Sequence, residues 1–362
     1  MSKKPYATLL AGGDVALNRP RARGALGRLA PLFQEADVAF TNLELPLSRK
    51  GRPTPGKNII RGTPEMAEAL VETRFDVLSF ANNHALDYGE EAFIDTLALM
   101  EERSIPVVGA GEDLDAARRP VVLERNGLRV GVLAYCSVLP RNFAAGPKTP
   151  GPDANPLRVY PAAGVNPLRA FTAYVPPEDA QEIPGRAPEI LTWAHPGDLR
   201  RMREDIQKLR ARVDLLIVNH HWGTSMVHDV RAFQREIGHA SVDAGADIVL
   251  GGHPHVVQGI EFHRGKPIVY CLGNLIFDFD VPFFTEATHQ TFLFGCTLSK
   301  AGAGEFYVLP CRAGTRNPPA LQSPLRGAGR EIFNLLSRLS GPFGTRMRVE
   351  KGRISILSPE DR

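Results

Sequence analysis

The residues able to do chemistry in this chain sit where short apolar runs give way to glycine, carboxylate, amide or imidazole. The run Ile248-Val249-Leu250 is followed by Gly251-Gly252-His253-Pro254-His255. A short apolar run bounded by turn residues reads as a buried strand, and the glycines free the backbone to turn at its end. Ligands of α/β sheets bind past such strand ends, so two imidazoles there, with Pro254 stiffening the chain between them, form a candidate pair of metal ligands. Four other apolar runs end in comparable groups: Gly12-Gly13-Asp14, Asn42-Leu43-Glu44, Asn82-Asn83-His84, and Asn219-His220-His221. Each alone has an ordinary explanation, an Asp turn or a satisfied strand-end histidine. Together, Asp14, Glu44, Asn83, His221, His253 and His255 form a mixed carboxylate, amide and imidazole set that suits zinc, manganese or iron and is unusual for a purely structural site. Arg19, shortly after Asp14, is placed to bind an anion or pair with an acid.

The elements that must position these groups follow from pattern. Strands are expected over 7–11, 38–40, 77–80, 106–109, within 127–136, and over 214–218, 248–250 and 267–272. Helices are expected over 26–35, 64–72 (capped by Thr63, with Pro64 in the first turn), 90–103, 196–212 and 230–244. Residues 49–62, rich in Gly, Pro, Lys and Arg, read as a mobile loop. Residues 141–197 hold many prolines and keep neither helical nor strand period, which marks a substrate-side insertion. From about residue 292 the pattern is antiparallel strands, a helix over 330–339 and a last strand over 353–357. Residues 1–290 are expected to form the catalytic domain and 291–362 to complete it.

Composition narrows the function classes. The 362 residues are 43% hydrophobic and 23% charged, with a net charge of +3, as a globular protein with a buried core requires. The arginines are scattered among acids, which argues against nucleic acid as the main partner. Neither a signal-peptide core nor an apolar run of about 18 residues stands out, so no membrane segment and a cytoplasmic location are expected. Cys136, Cys271, Cys296 and Cys311 lie far apart in apolar runs and read as buried thiols.

The order of these motifs resembles the calcineurin-like metallophosphoesterases, and more closely one branch of them, the CapA/PgsA family of capsule and poly-γ-glutamate synthesis proteins. The resemblance rests on Gly13-Asp14 with Arg19, Asn42-Leu43-Glu44, Ala81-Asn82-Asn83-His84 through Asp87-Tyr88-Gly89, His221-Trp222-Gly223, His253-Pro254-His255-Val256 and Leu272-Gly273-Asn274. It covers roughly residues 7–280. It implies a four-layer α/β/β/α sandwich with one or two divalent ions (Mn, Zn, Fe, Ca or Mg) between the sheets. Asp14, Glu44 and His255 would serve one ion and Asn83, His221 and His253 the other. His84 would do the catalytic work as acid or base, while Asn42, Asn274, Asp278 and Trp222 would orient the ligands. Asp87, Arg19 and His220, an extra imidazole that the family pattern does not supply, are further catalytic candidates.

This chain departs from the wider superfamily in lacking the histidine of its D-x-H motif, since Ala16 stands there. It departs from the branch at Gly252, Ser225 and Met226. The reading favoured is a metal-dependent enzyme acting on the carbonyl or amide region of a peptide or poly-γ-glutamate-like chain. A peptide Cα epimerase of a peptide-tailoring pathway using the same site, a metallophosphoesterase and a non-catalytic polyglutamate assembly subunit are the alternatives. The missing histidine lowers the phosphoesterase. Oligomeric state is open.

Overall fold

In the computed structural model, which describes residues 6–140, 142–147, 162–176 and 187–360, the apolar runs become a mixed α/β fold built on two larger sheets. In the six-stranded sheet the neighbours run 260–263, 266–269, 248–252, 215–221, 128–136 and 121–125. Its four central strands are parallel. The ten-stranded sheet is organised around Ala7–Ala16, which pairs in parallel with Val38–Leu43 on one side and Asn274–Phe277 on the other. The strands Val77–Ser79 and Val107–Val108 continue it in parallel. Strands 290–299, 302–312, 353–357 and 346–350 extend it antiparallel.

Alternation along the strands decides what each face meets. In Leu215–His221, Leu215 and Ile217 join the large core shared with Leu9, Phe40 and Leu78 of the other sheet. Leu216 and Val218 instead pack with Met202 and Ile206 of the helix Pro196–Arg210 and Ile237 of the helix Ala232–Ala244. The two sheets therefore face one another through apolar side chains, and polar side chains at one end of that interface share a common space. Among the described residues no helix is long and apolar enough to cross a membrane.

Several boundaries differ from expectation for identifiable reasons. The first strand runs on through Gly12, Gly13 and Asp14 to Ala16, with a register shift between Ala11 and Asp14. Asp14 thus lies at a bulge inside the strand, opposite Asn42 and Asn274, rather than beyond its end. The chain expected as one strand over 267–272 is two: Lys266–Val269 in one sheet, then a crossing to Asn274–Phe277 in the other. Residues 49–62, expected to be mobile, are tied down. Thr54 N–H donates to Asp87 O at 2.8 Å, Thr54 Oγ1 to Leu86 O at 2.8 Å, and Ile60 N–H to Asp87 Oδ2 at 2.7 Å. Thr63 precedes its helix but makes no side-chain cap.

The insertion is not structureless either. Ala170–Val175 and Glu189–Ala194 pair antiparallel over six positions, although much of 141–197 lies outside the described residues. Phe171, Tyr174, Ile190 and Trp193 on this hairpin are all exposed. With apolar groups on both faces, no period-2 signal survives in the sequence.

Among the described glycines the tightest approach is at Gly13, where an added Cβ would lie 1.9 Å from Gly273 O, just before the neighbouring strand Asn274–Phe277. Both contact atoms belong to paired backbone, so neither can yield locally. Gly13→Ala is expected to destabilise the chain by about 3 kcal/mol or more, measured as a lowered midpoint in urea unfolding. A midpoint unchanged from wild type would show that the two strands can separate without loss.

Candidate metal centre

Strand placement brings the six proposed ligands to one buried space. Asp14 comes from the bulge of the first strand, and Glu44 from just past Val38–Leu43, its N–H bonded to Val15 O at 2.9 Å. Asn83 and His84 lie in the turn after Val77–Ser79, and His221 closes Leu215–His221. His253 and His255 follow Ile248–Gly252. All are buried.

Distances tie them together. Asp14 Oδ1 accepts from Asn42 Nδ2 at 2.8 Å and Oδ2 from His253 N–H at 3.1 Å. His221 Nε2 lies 2.6 Å from Asn83 Oδ1 and 3.4 Å from Glu44 Oε1. His255 Nε2 lies 3.8 Å from Glu44 Oε1, while its Nδ1 is 2.9 Å from Asn274 Oδ1. Two sets of ligand atoms fall within 4.8 Å of one another: Glu44, His253 and His255, and Asp14, Glu44 and His221. Glu44 is common to both. The grouping differs from the one the resemblance implied, which set His255 with Asp14 and His253 with His221.

Local conformation shows how these positions are held. His253 and His255 adopt φ of 94° and 59°, a region uncommon for residues with a Cβ. The His255 ring is held by Asn274 Oδ1, and the His253 ring meets Ser225 Oγ. Gly252 is required beside them, because a Cβ there would come within 2.7 Å of Asp14 Oδ1.

The electrostatics suit a cation. Both Glu44 oxygens are buried without a hydrogen-bond partner, as is His253 Nδ1. Burial, then the nearby Asp14, holds the Glu44 carboxyl well above the ordinary carboxylate range. Burial pushes His221 down to about 4. The same cause, followed by the neighbouring His221 and His255, holds His253 well below the usual imidazole range. Neutral imidazoles and a carboxylate lacking donors are ligand-ready groups, and a divalent ion would supply the missing charge.

Other expected residues fall in different places. His84 Nδ1 is 2.6 Å from Asp87 Oδ2, and burial lowers the imidazole's basicity. Asn42 also approaches His221 Nδ1 at 3.4 Å. His220 does not join the site. Adjacent strand residues point to opposite faces, so its ring lies on the helix side, stacked 4.6 Å from Trp222 and 2.9 Å from Ser241 Oγ, with burial lowering it to about 3. Trp222 shares that side, donating to Tyr270 O at 2.8 Å, and touches no proposed ligand through its ring nitrogen. Asp278 orients no histidine. Its carboxylate accepts from Arg19 at 2.8 and 2.5 Å, which occupies the guanidinium as well.

Sequence reasoning missed three contributors. Asn82 donates to Asn42 Oδ1 at 3.1 Å and Leu43 O at 2.7 Å. Ser225 Oγ lies 3.2 Å from His253 Nε2. Lys57, from the segment expected to be mobile, bonds Asp87 and Asn83 O. Asn82 stands inside a motif already singled out, but nothing in sequence brings Lys57 there.

Fold and site together define a mixed α/β protein with a candidate metal centre between two sheets. Residues 8–279 match the family model described as bacterial capsule synthesis protein PGA_cap, and the chain belongs to that family, the CapA family. It is 28% identical over 329 residues to the PGA biosynthesis protein CapA of Bacillus subtilis, covering 90% of this chain and 73% of that one. It is 28% identical to the capsule biosynthesis protein CapA of Bacillus anthracis, covering 69% and 53%. A Mycobacterium tuberculosis relative described as a probable polyglutamine synthesis accessory protein is also 28% identical, covering 89% and 77%.

Glu44 yields a prediction whose sign is fixed. An acid whose folded pKa is raised stabilises the fold only below its unfolded value, and that stability is lost as pH rises through the folded value. At about pH 7, well above the free value of about 4.3, Glu44→Gln should therefore stabilise the metal-free chain. It should also abolish the rise in melting temperature expected of the wild type when zinc or manganese is added. Thermal unfolding with a chelator and with each metal checks both. A variant that still gains stability from metal would remove Glu44 from the ligand set.

Proposed function

We propose that this chain is a metal-dependent enzyme acting at the carbonyl or amide of a peptide or poly-γ-glutamate-like chain. The observation carrying this is the buried Glu44 carboxylate, with no hydrogen-bond donor on either oxygen and faced by His221 and His255. Asp14, Glu44, Asn83, His221, His253 and His255 would hold one or two divalent ions. Bound there, a divalent ion supplies Lewis-acid polarisation of a carbonyl oxygen.

The chain's own residues do the rest. Asp87 accepts from His84 Nδ1 and so leaves Nε2 as the nitrogen that takes or returns a proton at the substrate. Asn274 and Ser225 fix the rings of His255 and His253. The fold is a four-layer α/β/β/α sandwich, with residues 1–290 and 291–362 forming one domain. A poly-γ-glutamate-like chain is the proposed substrate class, in keeping with the PGA and polyglutamine synthesis in the relatives' names, and a cytoplasmic location goes with it.

A second reading, a non-catalytic assembly subunit, is favoured by the accessory role in the mycobacterial relative's description. His84 separates the two. His84→Ala should lower turnover of a glutamyl peptide about a hundredfold or more while metal content by elemental analysis stays at the wild-type level. Metal loss in the variant would make His84 a ligand instead. Turnover in heavy water identifies the bond that reacts. Cleaved fragments with no deuterium in recovered substrate are expected, whereas one deuterium at Cα with no mass loss would replace this chemistry with epimerisation. Wild-type protein loaded with metal that changes no glutamyl peptide would favour the assembly subunit.

A further inference from the structure

The Asn83–His84 peptide joins the two halves of the proposed site, since Asn83 carries a ligand oxygen and His84 the proton-transfer ring. Both polar atoms of this peptide are held from outside their own turn or by its side chains. Its N–H donates to Asn82 Oδ1 at 3.1 Å, and its carbonyl accepts from Lys57 Nζ at 2.5 Å. The same ammonium pairs with the Asp87 carboxylate and lies 3.4 Å from His84 Nδ1.

Asp87 is fully buried and takes donors from Lys57, Ile60 N–H and His84 Nδ1. The ammonium is held in turn. Its side chain is only 16% exposed, and it lies 4.9 Å from the centre of the Phe143 ring. Its acceptors are all groups of the 83–87 turn, so it is spent on internal contacts rather than offered to solvent.

We propose that Lys57 is a positioning residue. It clamps the Asn83–His84 peptide so that the Asn83 amide oxygen and the His84 ring are presented to the metal centre together. This inference rests on the metal reading above. It assigns a function to residues 49–62, whose tethers at Thr54 and Ile60 deliver the lysine to the turn. A lysine suits the position because one ammonium, with several N–H donors, can serve both the Asn83 carbonyl and the Asp87 carboxylate.

The test is metal affinity, measured by calorimetric titration of zinc into the full chain, with thermal unfolding as the check on folding. Lys57→Met should fold and bind zinc about tenfold or more weakly, the size of effect expected when a partner behind a ligand is lost. Lys57→Arg, whose guanidinium can span the same acceptors, should recover most of that loss.

The double variant Lys57→Met with Asp87→Asn removes the buried charge that the single variant leaves behind. The clamp predicts that it binds as weakly as Lys57→Met, because the Asn83 carbonyl still lacks its donor. Wild-type affinity in the double variant would show that Lys57 merely neutralises Asp87, and would overturn the clamp. Unchanged affinity in folded Lys57→Met would overturn it too. Folded wild-type chain that binds no zinc would overturn instead the metal reading beneath it.

Discussion

Two carboxylates, Asp14 and Glu44, lie buried between the sheets, and that burial governs the structure around them. Removing a charge from water costs several kcal/mol even after the protein relaxes. Asp14 offsets the cost with donors, from Asn42 Nδ2 and His253 N–H. Glu44 has none on its oxygens. In the metal-free chain its ionisation is suppressed, and a divalent ion among His221, His253 and His255 would reverse that. The energetic defect of the fold and its candidate function are therefore one feature.

The backbone around the defect is built to tolerate close approach. Gly13 passes against Gly273 O, Gly252 against Asp14 Oδ1, and Gly251 against Tyr270 O. None leaves room for a side chain. His253 and His255 carry positive φ without being glycine, a conformation that persists only where the surroundings over-determine it. Here the surroundings are Pro254, the Asp14 acceptor and Asn274. Backbone strain and the buried acid thus converge on the same few residues.

Membership of the capsule-synthesis family gives the site its context, and the chain's own geometry gives it detail. A continuous network runs from Asn82 through Asn42 to Asp14 and His221, joining residues of both sheets. A second runs from Lys57 through Asp87 to His84. The two meet at the Asn82–His84 turn, where Asn82 Oδ1 accepts the His84 N–H. A displacement of that turn would be felt at once by the proposed ligands and by the His84 ring.

The sequence by itself determined the candidate ligand types and the strands that deliver them. Apolar runs ending in Gly-Asp, Asn-Leu-Glu, Asn-Asn-His, His-His and His-Pro-His are local patterns, and local patterns need no partner to be read. Period-2 alternation would even have separated His221 from His220. What sequence could not decide was which distant segments meet. Lys57 reaches the site because 54–60 hydrogen-bonds to the Asp87 turn, and Asp278 meets Arg19 instead of a histidine because the chain crosses sheets before Asn274. The hairpin at 170–194 escaped notice because both of its faces are partly exposed and apolar. Each depends on contacts between residues far apart in the chain, and the energy of such contacts exists only once tertiary structure has brought them together.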